Sequence, residues 1–354
     1  MFAASMAALT GLSTALPPHV VTLEETKAHL AAHVEDRSAA TRFEEMAEHS
    51  RIAQRHVVLP AEHVLRIRTI EERQQEYGRH AVDLGETVAK DALATAGVDP
   101  GSVGVVLSVS CTGYMMPSLE VHLGHRLGLN PAARRVPITE LGCSGGVAAI
   151  GLASEILKAG RAGQNALVVT TELSSLCLQT AEPAISDVMG GILFGDASAA
   201  AVITSDNRGK GPRILGSRSV LWPESTSDLG MRLTTTGFRL ELSRHVPRLI
   251  RRHLRSTVDT FLADHRLTLS DLSFWAIHPG GPRILESIGE SLGLSNEALR
   301  PSWEVWETCG NLSSATALFI LRALLDADNL ASGALGMLLA AGPGLSCEMV
   351  LLRS

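Results

Sequence analysis

Three short stretches of the chain combine side chains that can do covalent or acid–base work. The first is Leu141-Gly142-Cys143-Ser144-Gly145-Gly146. Its cysteine stands between an extended stretch and the start of a small-residue helix, where unpaired N–H groups and the helix dipole favour a thiolate. The flanking glycines let another molecule approach the backbone. Two other readings fit the same residues. One is a buried, inert free cysteine. The other is a G-x-S-x-G nucleophile elbow with Ser144 as a hydrolase nucleophile. The elbow also needs an acid and a histidine downstream, and nothing in the sequence singles out the acid.

The second stretch, Trp275 to Pro282 (WAIHPGGP), ends an apolar run in His278 and continues into residues that no helix or strand can extend. Strand ends are where α/β proteins place working groups, although most single histidines are surface or structural residues. The third, Cys309 to Ala315 (CGNLSSA), offers Asn311. Its amide either caps the following helix or donates to a developing oxyanion. His29 with His33, and His122 with His125, share helix faces, but neither pair has a third ligand nearby, so no metal site is expected. Arg244 to Arg255 reads as a helix with a solvated basic face and with Val246, Leu249, Ile250 and Leu254 turned to a core. Phe194 and Phe238 read equally well as plain core residues.

Positioning these groups takes a large core, and the composition supplies one. Of 354 residues, 45% are hydrophobic and 19% charged, which excludes disorder. A net charge of -6 and 4% aromatics disfavour a nucleic-acid binder. No run approaches the ~18 apolar residues of a membrane span. Five cysteines without CxxC spacing fit neither a disulfide framework nor a zinc ribbon, and suit a reducing cytoplasm. The first 16 residues are apolar, but no Lys or Arg precedes Lys27, so they read as a buried strand ending at Pro17-Pro18 rather than a signal peptide.

The pattern predicts surface helices over 23–50, with Leu30, Val34 and Phe43 at helical spacing. It predicts an amphipathic helix over 81–97 with Gly97 as C-cap, and a doubly buried strand from Val103 to Val109. A helix over 117–127, an extended stretch over 135–140, the Cys143 helix to Leu157 and strands at 166–171 and 199–204 follow. Residues 205–212 read as a loop between halves. The second half predicts helices at about 243–264 and 283–292, a strand at 274–277, a helix after Asn311, and strands at 336–341 and 347–352. Two halves that each alternate strands with helices point to an α/β fold with internal duplication.

Read together, LGCSGG, LFGDASAA, IHPGGPRIL, GNLSSAT and GPGLSCE resemble the type III polyketide synthases of the chalcone synthase superfamily, in order and spacing from about residue 8 to residue 352. The resemblance implies a thiolase-like αβαβα layered fold with halves at 1–210 and 211–354, and a homodimer. It implies iterative decarboxylative condensation of malonyl-CoA onto a CoA-linked starter, with cyclisation to an aromatic or pyrone product. It implies no cofactor beyond the coenzyme A thioesters. Cys143, His278 and Asn311 match the catalytic set. Phe194 and Phe238 match the two gatekeeping aromatics, Cys111, Cys177 and Ser313 match cavity-lining positions, and Met116 matches a residue reaching into the partner's cavity. Cysteine at 111 and 177, within wording such as CTGYMMPS, looks closer to bacterial members. The family's basic cluster for CoA phosphates keeps Arg42, but Glu45 and His49 stand at its other positions, which leaves Arg51 or Arg55 to serve. The nearest rival, a ketoacyl synthase of the fatty-acid initiation type, shares Cys-His-Asn but usually reads His-Gln-Ala-Asn where this chain has His278-Pro279-Gly280-Gly281.

Overall fold

The computed structural model describes residues 7–354 except 34–36, 68, 161–163, 180–184, 206–210, 236 and 328–329. Val34, and 206–210 of the expected inter-half loop, lie outside the described residues, as does the side chain of His33. The chain opens with β1 (Ala8–Ala15) and then leaves the main sheet through β2 (His19–Thr22), α1 (Leu23–His33), α2 (Arg37–His49), β3 (Gln54–Val57) and α3 (Ala61–Val64). It returns through α4 (Ile70–Ala96), β4 (Val103–Val109), α5 (Leu119–Leu127), β5 (Arg134–Ile138), α6 (Gly145–Ala159), β6 (Asn165–Leu173), α7 (Ile185–Leu193) and β7 (Asp196–Thr204). The second half runs β8 (Arg213–Leu221), the hairpin β9 (Leu229–Thr234) and β10 (Gly237–Leu242), α8 (Val246–Asp264), β11 (Leu272–Ile277), α9 (Pro282–Leu292), α10 (Asn296–Cys309), α11 (Thr316–Asp326), β12 (Leu335–Gly342) and β13 (Ser346–Arg353).

Nine strands join in the order β11-β12-β13-β8-β1-β7-β6-β4-β5. The halves meet where Ala8 of β1 pairs Arg213 of β8. Outward from that seam the same pattern repeats. β1/β7 and β7/β6 are antiparallel and β6/β4 parallel, as β8/β13 and β13/β12 are antiparallel and β12/β11 parallel. The internal duplication read from the sequence is therefore visible strand by strand, with β5 as an addition to the first half.

Both faces of these strands are buried, which is why they read as apolar runs without alternation. On the first half's strands, Val105, Leu107, Ala166 and Val168 face a central core shared with Val147 and Ile150 of α6 and Leu318 and Leu321 of α11. The second half's strands add Ala276, Leu338 and Val350 to that same core. Their other faces meet outer helices: Val106, Leu167 and Val202 pack with α4 and α5, and Trp275, Leu339 and Met349 pack with α8 and α9. The result is the αβαβα stack that the resemblance implied. Because α6 is enclosed by strands of both halves, its nine buried positions are all small or branched residues.

The elements differ from expectation in identifiable places. Helix α4 begins at Ile70, well before 81, because Thr69 and Glu72 form a capping box that starts a polar first turn. Its end at Gly97, in the left-handed region with φ 65°, is as expected. Helix α10 was hidden by Pro301 inside it. Its buried Leu299, Ser302, Val305, Trp306 and Cys309 nonetheless keep helical spacing. The hairpin β9–β10 pairs only with itself among the described strands.

Candidate active site

Cys143 sits in the single 3-10 turn Gly142–Ser144 that leads into α6. The turn depends on two glycines. Gly142 has φ 52° and lies so close to Pro343 that a Cβ would stand 2.7 Å from the proline ring. At Gly146 a Cβ would stand 2.1 Å from the Ser314 carbonyl oxygen, so only glycine lets α6 approach the segment after Asn311 this closely. That approach puts the Cys143 Sγ 4.0 Å from Asn311 Oδ1. Asn311 is itself fixed. Its N–H donates to Leu193 O at 2.7 Å, its carbonyl accepts from Gly195 N–H at 3.0 Å, and its Oδ1 accepts from Ser313 N–H at 2.8 Å. With Oδ1 so occupied, the Nδ2 group is left to donate elsewhere. Ser313 has φ 50°, an unfavourable backbone for a non-glycine residue, held here by that side-chain bond.

His278 ends β11, where its N–H donates to Leu339 O at 2.8 Å. β12, which carries Leu339, runs on to Gly342 and the Pro343 that packs on the Cys143 turn. The imidazole is 3% exposed, and neither ring nitrogen has a hydrogen-bond partner. Burial pulls its pKa down to about 4, so the ring is neutral at rest. The Cys143 thiolate that the helix start favours is opposed by desolvation. Burial pushes this thiol up to about 12, with Glu172 adding to the rise, and hydrogen bonding from Ser313 and Asn311 only partly offsets it. The helix-start environment is outweighed by desolvation.

Cys143 opens into a cavity of about 230 Å³ whose walls are largely apolar. The cavity is also lined by Cys111, Cys177, Phe194, Phe238 and Ser313, so with Cys143 residues from six separate stretches of sequence share one space. Behind this wall lies Glu172 of β6, fully buried. It accepts from Cys111 N–H at 3.1 Å, Thr112 Oγ1 at 2.9 Å and Ser314 Oγ, while Cys111 Sγ lies 3.4 Å from Ser313 Oγ. Burial raises the Glu172 carboxyl pKa, and those hydrogen bonds only partly counter the shift. Residues 1–207 match the N-terminal domain of the chalcone and stilbene synthases, and residues 214–354 match their C-terminal domain.

The chain belongs to the chalcone and stilbene synthase family. It is a type III polyketide synthase. It is 34% identical to 1,3,6,8-tetrahydroxynaphthalene synthase of Streptomyces peucetius subsp. caesius, over 98% of this chain and 92% of that protein. It is 31% identical to the alpha-pyrone synthesis polyketide synthase-like Pks18 of Mycobacterium tuberculosis, over 98% of this chain and 91% of the relative. The crystal structure of the tetrahydroxynaphthalene synthase of Streptomyces coelicolor A3(2) superposes with a TM-score of 0.94 at 34% identity, covering 98% of this chain and 99% of that one.

Two readings offered by the sequence, one of them a rival to the family resemblance, do not fit the structure. Ser144 is no hydrolase nucleophile. It is fully buried and its Oγ donates to Leu141 O at 2.9 Å, turned away from the cavity that Cys143 enters. Arg55 is not presented to solvent for a CoA phosphate. Its guanidinium is buried and donates to Gly191 O, Phe194 O and Thr26 Oγ1, bracing the cavity wall beside Phe194. Arg42 is exposed on α2. Arg51 is exposed too, paired with Glu307 and stacked 3.9 Å over the Trp303 ring. Met116 is 82% exposed and stands outside the cavity of its own chain. Among the described residues no group of three His, Cys, Asp or Glu is placed to hold a metal ion.

Among the buried acids that sequence reasoning missed, Glu172, Asp187 and Asp196 lie at or beside the cavity. Asp196 accepts from Val58 N–H, Ser175 N–H and Ser175 Oγ, tying β3 and the Cys177 turn to the Phe194 loop. The available signal was a single carboxylate inside an otherwise apolar run, as in Ala166 to Leu173.

Proposed function

We propose that Cys143 accepts the starter acyl group from its CoA thioester and that His278 and Asn311 stabilise the enolate formed when malonyl-CoA loses CO2. The observation that carries this reading is Cys143 Sγ opening into an apolar cavity 4.0 Å from Asn311. The thiol proton passes to His278 as sulfur attacks the starter carbonyl and CoA leaves. Malonyl-CoA then releases CO2, and the electron pair of the broken C–C bond becomes an enolate on the thioester oxygen. The Asn311 Nδ2 group and a His278 N–H donate to that oxygen, which is the oxyanion-hole principle. The enolate carbon attacks the Cys143 thioester, sulfur leaves, and the extended chain returns to CoA for another round or cyclises. The half spanning 1–210 supplies the nucleophile, and the half spanning 211–354 supplies both donors. The cavity's largely apolar walls would shield a reactive polyketide from water.

Phe194 and Phe238 flank the way from the CoA side to the cavity, and Cys111, Cys177 and Ser313 set its interior size. We assign the CoA phosphates to Arg42 and Arg51, whose exposure on the surface supports the reading. The protein works as a homodimer in the cytoplasm, with CoA thioesters as its only co-substrates. Incubation with malonyl-CoA and a panel of acyl-CoA starters, followed by mass spectrometry, tests the reading. CO2 release and CoA-dependent polyketide or pyrone products are expected, and no CO2 release from the wild-type protein would refute it.

A further inference from the structure

The proposed chemistry leaves one strained residue beside the nucleophile with no chemical task. Ser313 lines the cavity that Cys143 enters and is 2% exposed, so its hydroxyl is shut off from bulk water. Its backbone is held at φ 50°, a region that non-glycine residues rarely occupy. Such outliers persist only where their surroundings fix them, and they gather at working sites. Here the fixing bond runs to the catalytic set itself. Ser313 N–H donates at 2.8 Å to Asn311 Oδ1, the same oxygen that lies 4.0 Å from Cys143 Sγ. That bond uses the backbone of Ser313 and leaves its hydroxyl free for another purpose.

A serine hydroxyl has one proton to give and two lone pairs to fill, and it rotates to suit its partners. On one side of Ser313 Oγ stands Cys111 Sγ at 3.4 Å. Burial and the facing Glu172 carboxyl push the Cys111 thiol well up, so it keeps its proton and has one to donate. On the other side is Cys143. Burial raises that thiol, and the hydrogen bond from Ser313 is the largest influence opposing the rise. The thiol form of Cys143 is served by Asn311 Oδ1, an acceptor. The thiolate form needs a donor, and it must hold its charge against Glu172 behind the wall.

We propose that Ser313 is a further catalytic residue: backed by the Cys111 thiol, its hydroxyl donates a hydrogen bond to Cys143 Sγ each time that sulfur carries negative charge. Those moments are the attack on the starter thioester and the departure of sulfur from the acyl chain. The inference rests on the reading of Cys143 as the acyl acceptor. No proton is transferred along this bond. The thiol proton still goes to His278, Ser313 keeps its own, and Cys111 acts as a positioning residue through Ser313. The role is separate from cavity size, because a wall needs volume and has no use for a hydroxyl.

The test is alkylation of Cys143 by iodoacetamide, followed by peptide mass, in variants at position 313. In Ser313→Ala the rate at each pH from 7 to 10 is expected to fall ~3–10-fold. Losing a hydrogen bond to a charged group lowers the thiolate fraction ~10-fold or more, and the more basic thiolate regains part of that in nucleophilicity. Ser313→Gly separates the hydroxyl from the backbone, since glycine takes a positive φ at no steric cost. If Ser313 only shaped the turn, glycine would replace it without effect. A lost donor slows labelling in the glycine variant as it does in the alanine one. Ser313→Cys keeps a weaker S–H donor in the same place and is expected to fall between these and wild type. Acetylation of Cys143 by acetyl-CoA, followed by intact mass, should slow in the same order. Melting temperatures on the same preparations identify the folded variants. A folded glycine variant labelled at or above the wild-type rate overturns the proposal, whatever the alanine variant does. Wild-type protein that gains no acetyl adduct on Cys143 refutes the underlying reading of the site instead. Iodoacetamide labelling needs no CoA, so the two failures are distinguishable.

Discussion

Cys143 and His278 are each held in the form that burial prefers, a thiol pushed up to about 12 and an imidazole pulled down to about 4. On the proposed mechanism, the ion pair would then form during the reaction rather than be stored. This predicts an alkylation profile for the free enzyme. A raised thiol pKa means that the thiolate fraction climbs about tenfold per pH unit at all pH values below the pKa. Iodoacetamide labelling of Cys143, followed by peptide mass, should accelerate from pH 7 to pH 10 without levelling off. A plateau near neutral pH would show a resting thiolate–imidazolium pair and overturn the assignment. For Asn311 the expected outcome is separation of steps: Asn311→Ala should lose ~10²–10³ in malonyl-CoA decarboxylation, the usual cost of one oxyanion donor. Unchanged CO2 release would remove Asn311 from that role. In the sequence these candidates stand out because they are framed locally, by glycines around Cys143 and by Pro279-Gly280-Gly281-Pro282 after His278. Glu172 and Asp187 were not, because their partners Ser314 and Arg239 lie far along the chain and only the fold brings them together.

At the scale of elements, legibility followed the clarity of the burial pattern. β4 was read to the residue because helices cover both its faces and leave a bounded apolar run. The β9–β10 hairpin was not, since it lies outside the main sheet and mixes cavity-facing with exposed residues such as Leu233. One element contact makes a pH-dependent prediction. Glu348 of β13 is buried and accepts from Ser219 Oγ of β8 at 2.6 Å. Burial raises its pKa to about 7, with the nearby Glu155 carboxylate adding to the rise. A carboxyl whose folded pKa exceeds its unfolded value binds more protons in the native state, so it loses stability as pH rises from ~4.5 to about 7. Glu348→Gln keeps an acceptor for Ser219 and removes the titration. Its melting temperature should exceed that of wild type at pH 8.5, and the difference should shrink towards zero at pH 5. A difference of equal size at both pH values would show that Glu348 is not the titrating group.

On the scale of the whole molecule, duplication explains how the site is made. The two halves meet at β1 and β8 and enclose α6 and α11 between their sheets. The turn before α6 carries Cys143 and the turn before α11 carries Asn311, so the two central helix starts come together at the cavity. The alternation of strands and helices in each half made this layering readable. What it could not show was where one chain ends and a second begins to matter. Tyr114 and Met116 are large apolar residues of one short loop, 60% and 82% exposed. A scattered exposed side chain needs no explanation, but two so close together suit burial against another surface. On the proposed homodimer reading, that surface is the partner and Met116 would fill part of the partner's cavity. Met116→Ala should then lengthen the products or broaden the starter range while the protein still elutes at dimer mass, because the change removes volume from the cavity wall and leaves the rest of the interface in place. Size-exclusion chromatography with light scattering and product analysis on one preparation decide it. A monomeric wild-type protein, or a dimeric variant with the wild-type product profile, would take Met116 out of the cavity.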